Sequence, residues 1–269
     1  MSLGMIIKGP EGLVLAAESR ITLSATNRET GEKISVSYDN AQKVFSFSGP
    51  HMHVGAVTYG AGGIGDRSAF SYITEFESSL SGTTRLAVDG FALRLSDFYL
   101  GQWKSIMPPD YKGHPMTFVV GGYNEGEPYG RVYEFEIPRA PKPVERTSLQ
   151  DFGITWGGQH EIMDRLLAGY DLRAVDVVKQ ALSLTDDQVK KLVEALGRFQ
   201  MPLPIKYLPL QDCVDLAILF LRTTIGAQRL TVGIRGVGGP IDIATITRTG
   251  GFQWVQRKTL RGEATTTFS

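Results

Sequence analysis

The sequence predicts an α/β fold in which helices are grouped outside antiparallel sheets, and three observations carry that expectation. Strand-like runs come in adjacent pairs around short turns, at 3–7 with 12–18 and at 43–47 with 54–59, as hairpins do. Two helical patterns then follow one another directly, at 69–80 and 88–98, instead of alternating with strands as βαβ units require. The run Leu13-Val14-Leu15-Ala16-Ala17 is apolar on both faces, which suits a strand inside a sandwich.

Each element has a local reason. The turn Lys8-Gly9-Pro10-Glu11-Gly12 has proline early and glycine last, as a tight reversal prefers. Polar residues 25–41 read as a surface hairpin or loop. Lys43-Val44-Phe45-Ser46-Phe47 alternates, turns at Gly49-Pro50 and resumes over 54–59. Ala69, Ile73, Phe76 and Leu80 share one helix face, as do Val88, Phe91, Leu95 and Phe98, and Pro108-Pro109 ends the second helix. Strands at 117–120 and 131–137 flank the loop 123–130. Tyr133, Phe135 and Ile137 alternate with Glu134 and Glu136, so one buried and one wet face are expected. The Pro-rich residues 138–143 read as a connector.

Beyond Gly157-Gly158 a helix carries Ile162 and Leu166, a second lies around 172–182, and a third follows the capping box Thr185-x-x-Gln188. Pro202, Pro204 and Pro209 interrupt the chain before a helix with Leu210, Val214, Ala217, Leu221 and Ile225 on one stripe. Strands near 230–235 and over 241–247 close the chain ahead of the turn at Gly250-Gly251. There is no internal repeat, and residues 1–269 read as one domain.

Composition excludes several classes. Hydrophobic residues are 42% and charged residues 21% of 269, enough for a sizeable core. Lys plus Arg and Asp plus Glu are 28 each, so no net field recruits nucleic acid or an anionic membrane. Cys213 is the only cysteine, which rules out an internal disulfide and a cysteine zinc site, and its apolar neighbours read as core. No run of 18 apolar residues and no signal-peptide pattern is present, so a cytoplasmic location is expected. His51 and His53 could share a strand face as metal ligands, but without an evident third ligand they read as decoration of a hairpin.

Gly60-Ala61-Gly62-Gly63-Ile64-Gly65 matches G-x-G-x-x-G between a strand and a helix, with Asp89 at about the spacing of a ribose-binding acid. Asp89 falls on a helix, however, and the strands upstream pair as hairpins. Glycines that merely permit a sharp strand-to-helix turn are the simpler reading.

The segment Gly12-Leu13-Val14-Leu15-Ala16-Ala17-Glu18-Ser19-Arg20 resembles the signature strand of proteasome core subunits, G-(I/V)-V-(L/I)-A-A-(D/E)-x-R. Four further segments resemble the same family in the same order. They are Lys43-Val44-Phe45, the Gly-rich turn from Tyr59-Gly60 to Asp66, the hairpin over 117–137 with Val120-Gly121-Gly122, and Gly238-Gly239-Pro240-Ile241-Asp242-Ile243-Ala244. The resemblance covers most of the chain, with a helical insertion around 171–208. It implies a proteasome-like N-terminal-nucleophile hydrolase fold, a four-layer αββα sandwich of two antiparallel sheets flanked by helices. Because the N-terminal helix of non-catalytic α-type subunits is missing, it points to a divergent, bacterial-type β-subunit relative.

By that resemblance the catalytic threonine position falls on Ser2, exposed as residue one once Met1 is removed. The family chemistry needs a free α-amine, with an ordinary pKa near ~8, beside a hydroxyl. Lys43 would favour the alkoxide, Glu18 would orient Lys43, and Arg20 would support the turn. The Gly60 N–H would serve the oxyanion, and Gly157-Gly158 would lie near the amine. Lys33 competes with Lys43 for the lysine role, and Glu18 with Arg20 could be a plain ion pair. No cofactor or metal is implied.

Three departures stand out. Serine replaces threonine, and Val237 sits where the family carries serine before Gly-Gly, with no aspartate upstream. The serine of the other glycine turn is also missing, with Trp156 and Gly157 nearby. The readings left open are an amidohydrolase or peptidase acting on a peptide or protein, a catalytically degenerate assembly subunit, and an acyl-transferring ligase. The family also implies a homo-oligomer of ring form, with the stripe Val189, Leu192, Val193 and Leu196 as the contact face.

Overall fold

The computed structural model describes residues 2–26, 30–31, 33–233, 235–260 and 262, with the backbone alone at 23–26 and 33–35. Strands β1 (Leu3–Lys8) and β2 (Leu13–Glu18) form a hairpin closed by Gly9 N donating to Gly12 O at 3.0 Å. Both strands are buried throughout, as their two apolar faces demand. The polar stretch holds the hairpin β3 (Ile21–Thr26) and β4 (Lys33–Tyr38). Then come β5 (Val44–Ser46), β6 (Val54–Gly60) and a short ladder of β7 (Gly63–Ile64) with β8 (Arg67–Ser68). A 3-10 turn leads into α1 (Ile73–Ser79), followed by α2 (Val88–Ile106).

The chain continues through β9 (Met116–Gly122), β10 (Arg131–Ile137), β11 (Ala140–Thr147) and β12 (Gly153–Gly158). Helices α3 (His160–Leu167), α4 (Arg173–Ala181), α5 (Asp186–Leu196) and α6 (Leu210–Leu230) precede β13 (Ile241–Thr247) and β14 (Gly251–Gln256). The Thr185–Gln188 capping box forms in full at the start of α5.

Two five-stranded sheets result, ordered β12-β1-β2-β13-β14 and β11-β10-β9-β6-β5. Between them lies an apolar layer with Leu15, Val57, Val119 and Ile246. Phe76, Phe91, Leu95 and Tyr99 of α1 and α2 cover the outer face of the second sheet. Met163 of α3 with Val214, Ala217 and Leu221 of α6 covers the first. The architecture is therefore the expected four-layer αββα sandwich. Every pairing among the described strands is antiparallel, which removes the dinucleotide reading of the Gly60–Gly65 turn, because that fold needs parallel strands.

Local expectations differ from the fold in five places. Residues 138–143 are not a bare connector, since Pro141 and Pro143 lie on β11, an edge strand, where a missing N–H is tolerated. The strand expected near 230–235 is absent among its described residues, because α6 runs on to Leu230. Ile234 lies outside the described residues. The partner of β13 is instead β14, beyond the Gly250-Gly251 turn. The glycine-rich β12 went unrecognised, with few apolar side chains to show a period, yet it pairs along the whole of β1. The glutamate face of β10 is half-buried and not fully wet: Tyr59 Oη donates to Glu134 Oε1 at 3.1 Å, while Arg146 pairs with Glu134 Oε2 at 2.9 Å from the solvent side.

Fifth, His51 and His53 are buried and do not decorate the hairpin surface; His51 packs on Phe91, and His53 Nε2 lies 2.9 Å from Leu86 O. Burial pulls both imidazoles below the ordinary histidine range. A depressed folded-state value means the unfolded chain binds protons first, so stability is lost as pH falls. The denaturant midpoint is expected to decline from about pH 6.5 downward. In a His51→Phe, His53→Leu double variant the midpoint should be flat between about pH 6.5 and 5.5; an identical decline there would contradict this assignment.

Candidate active site

The site lies where four elements end. The β1–β2 register, with Gly4 opposite Ala17, carries Ser2 to the end of the sheet beside Glu18. Ile241 of β13 flanks Glu18 on the other side, and Lys43 sits one residue before β5. Ser2 is 5% exposed, Glu18 1% and Lys43 5%. A buried charge pair of this kind persists only where its remaining hydrogen-bonding capacity is filled.

That condition is met. Lys43 Nζ donates to Ser2 Oγ at 3.0 Å, to Glu18 Oε1 and to the Arg20 carbonyl, which uses all three of its hydrogens. Glu18 Oε1 also accepts from Leu3 N at 3.2 Å, and Oε2 accepts from Arg20 N at 2.7 Å and Gly238 N at 3.0 Å. Burial draws Lys43 below the usual lysine range. Glu18 opposes that shift, while Lys258 and Arg20 reinforce it.

The Arg20 guanidinium is committed to groups other than Ser2. It grips Asp39 with Nε at 2.6 Å and Nη2 at 2.8 Å, and Nη1 reaches Arg235 O at 3.2 Å. Its backbone touches the site, whereas its side chain ties neighbouring loops together. Lys33 pairs through its backbone with Thr26, five residues or roughly 17 Å along the hairpin from Ile21. Its side chain lies outside the described residues.

Gly60 ends β6 with φ +89, and a Cβ there would collide with the Pro115 carbonyl oxygen. Thr58 N donates to Lys43 O at 2.9 Å and Ala61 N to Pro115 O at 2.8 Å. Strand alternation therefore turns the Gly60 N–H toward the Lys43 side, past the start of β5. Gly60→Ala is expected to cost about 1–3 kcal/mol from the positive φ alone, read as a fall in the denaturant midpoint. An unchanged midpoint would mean that this turn relaxes freely. Gly158, at φ +105, abuts the Ser2 carbonyl so closely that no Cβ fits, and Gly157 lies against the Tyr59 ring.

Sequence reasoning missed three participants. Gly238 N was hidden inside a matched motif, where a Cβ would lie 2.6 Å from Arg20 Cζ and push that side chain aside. Gln228 accepts from Val237 N at 2.8 Å, and one polar residue at a helix end gives no periodic signal. Asp242, 1% exposed, is paired with Lys258. Its acid was visible in the motif, but its partner lies far along the chain. Among the described residues, no group of three or more His, Cys, Asp and Glu side chains is placed to hold a metal. A surface cavity of about 430 Å³ lies elsewhere, beside His51 and Glu77. No described helix is long and apolar enough to cross a membrane.

These four layers and their strand order form an αββα sandwich of proteasome-like type. Solved structures agree: Anbu from Hyphomicrobium sp. strain MC1 superimposes with a TM-score of 0.54 at 16% identity, covering 95% of this chain and 86% of that one. Anbu (ancestral beta-subunit) from Yersinia bercovieri gives 0.53 at 14%, covering 94% and 87%. Identities this low establish the fold alone. No family model and no curated protein matches the sequence. The expected kinship with bacterial-type proteasome β-subunits is thereby corrected, since these structural neighbours are Anbu proteins.

Proposed function

We propose that the chain is a serine-type N-terminal-nucleophile amidohydrolase that cleaves peptides or proteins through an acyl-enzyme on Ser2. One observation carries this reading: a buried ammonium anchored by Glu18 donates to the Ser2 hydroxyl at 3.0 Å. Lys43 has every hydrogen committed and acts as a fixed positive charge that favours the alkoxide. The base is then the Ser2 α-amine, freed by removal of Met1. It takes the Oγ proton as Oγ attacks the amide carbon, and the carbonyl oxygen turns toward the Gly60 N–H. The amine passes its proton to the leaving nitrogen as the C–N bond breaks. Water, deprotonated by the same amine, then cleaves the ester and restores the hydroxyl.

A β-lactone tests the reading, because ring opening by Oγ leaves a stable ester. Adduct on the peptide that begins at Ser2 supports it, and labelling elsewhere or nowhere sinks it. A degenerate assembly subunit is the second reading, favoured by Val237, buried and apolar one residue before the Gly238 N–H that holds Glu18.

Residues 1–269 are proposed to form one domain, with the helices around 171–208 as an insertion that meets a second copy. Neither α4 nor α5 contains a buried residue. Val189, Leu192 and Leu196 are half-covered and Val193 is 43% exposed, while Val177 and Phe199 are 64% and 66% exposed. Light scattering is expected to give an oligomer that Val177→Ser with Phe199→Ser dissociates. A monomeric mass in the unmodified chain would refute this contact.

A further inference from the structure

The segment between α6 and β13 passes directly over Glu18 yet brings no aspartate or serine of its own. Val237 there is 1% exposed and apolar. Its backbone N–H is nonetheless satisfied, by Gln228 Oε1 at 2.8 Å from the last turns of α6. Gln228 is itself 9% exposed. One residue on, Gly238 N donates to Glu18 Oε2 at 3.0 Å, and Gly238 O accepts from Ser19 N at 3.1 Å. Gln228 thus stands at the head of a continuous chain that runs through backbone, carboxylate and ammonium to the Ser2 hydroxyl.

We propose that Gln228 is a positioning residue for Ser2, acting in turn through the 237–238 backbone, Glu18 and Lys43. The inference rests on the reading of Ser2 as nucleophile. A buried N–H that loses its acceptor does not stay in place, because leaving it unpaired is costlier than moving the chain to another partner. The peptide units around Val237 and Gly238 lie outside any helix or strand, so they are the ones expected to move, and the Gly238 N–H would swing off Glu18. The carboxylate would keep Leu3 N and Arg20 N but lose the donor that fixes its second oxygen. Lys43, oriented by that carboxylate, would then lose its alignment with Ser2 Oγ.

The test uses the full chain and two readouts. Gln228→Leu is expected to slow β-lactone labelling of Ser2 about tenfold or more at an unchanged half-saturating concentration, while Gln228→Glu, which keeps the acceptor, stays within roughly threefold. In protein carrying 15N-labelled lysine, the Lys43 Nζ titration should move to lower pH in Gln228→Leu, because Glu18 no longer opposes burial as well. Wild-type labelling by the Leu variant, or an unmoved Lys43 titration, overturns the proposal. If the parent chain itself takes no label, the nucleophile reading has failed, and the Lys43 titration alone then decides the positioning role. Should Gln228→Leu fail to fold, Gln228→Asn, whose amide falls short of Val237 N, replaces it with the same expected outcomes.

Discussion

Ser2→Ala is expected to abolish amide hydrolysis and β-lactone labelling while leaving the fold intact. Removing the nucleophile of a serine hydrolase costs about 10⁶ in kcat, because the remaining groups can bind substrate and stabilise an oxyanion but cannot form the acyl ester. Little stability should go with it. Ser2 Oγ receives one hydrogen bond, from Lys43, and Lys43 retains Glu18 and the Arg20 carbonyl when that contact is lost. A loss of about 1 kcal/mol is the scale for one such bond. Undiminished hydrolysis in this variant would place the chemistry elsewhere in the molecule. A variant that unfolds would instead mean that Ser2 serves the sheet terminus, and the proposed reaction would lose its main support.

Lys43→Met is expected to lose both activity and stability, for separable reasons. Activity falls because a neutral thioether no longer favours the Ser2 alkoxide. Stability falls because Glu18, whose side chain is wholly buried, is left without its ammonium partner. Breaking a buried pair from one side costs about 3–5 kcal/mol. Adding Glu18→Gln should return most of that stability, since a neutral amide can still accept from the surrounding N–H groups, yet should return none of the activity. A double variant as unstable as Lys43→Met would show that the loss comes from packing and not from the unpaired carboxylate. An active double variant would remove Lys43 from the mechanism.

The residues nearest the chemistry were legible because each sits in a run whose composition is constrained. β2 must be apolar on both faces, so Glu18 stands out as the first charge after five buried positions. Lys43 is visible because the alternating strand begins immediately after it. The layered fold followed from hairpins and paired helices, whose periodicities are local. What was hidden depends on contacts distant in sequence. β11 carries prolines that argue against a strand unless it lies at an edge, and edge status is a tertiary fact. β12 has glycine at three of its six positions, which erases the period. Gln228 reads as one more polar residue on α6, and only its approach to Val237 gives it meaning. The G-x-G-x-x-G match misleads for the complementary reason: the turn geometry is local, whereas the parallel strand that would give it a nucleotide is not.

For the proposed reaction the Ser2 amine must be free to act as the base beside the hydroxyl held by Lys43. Intact-mass and N-terminal peptide mass spectrometry of the protein isolated without an added tag tests it most directly. The expected species is a chain beginning at Ser2, whose terminal peptide gains one β-lactone equivalent on treatment. A terminus that retains Met1 and stays unlabelled would contradict it, because the amine would then be locked in a peptide bond and Ser2 would have no base.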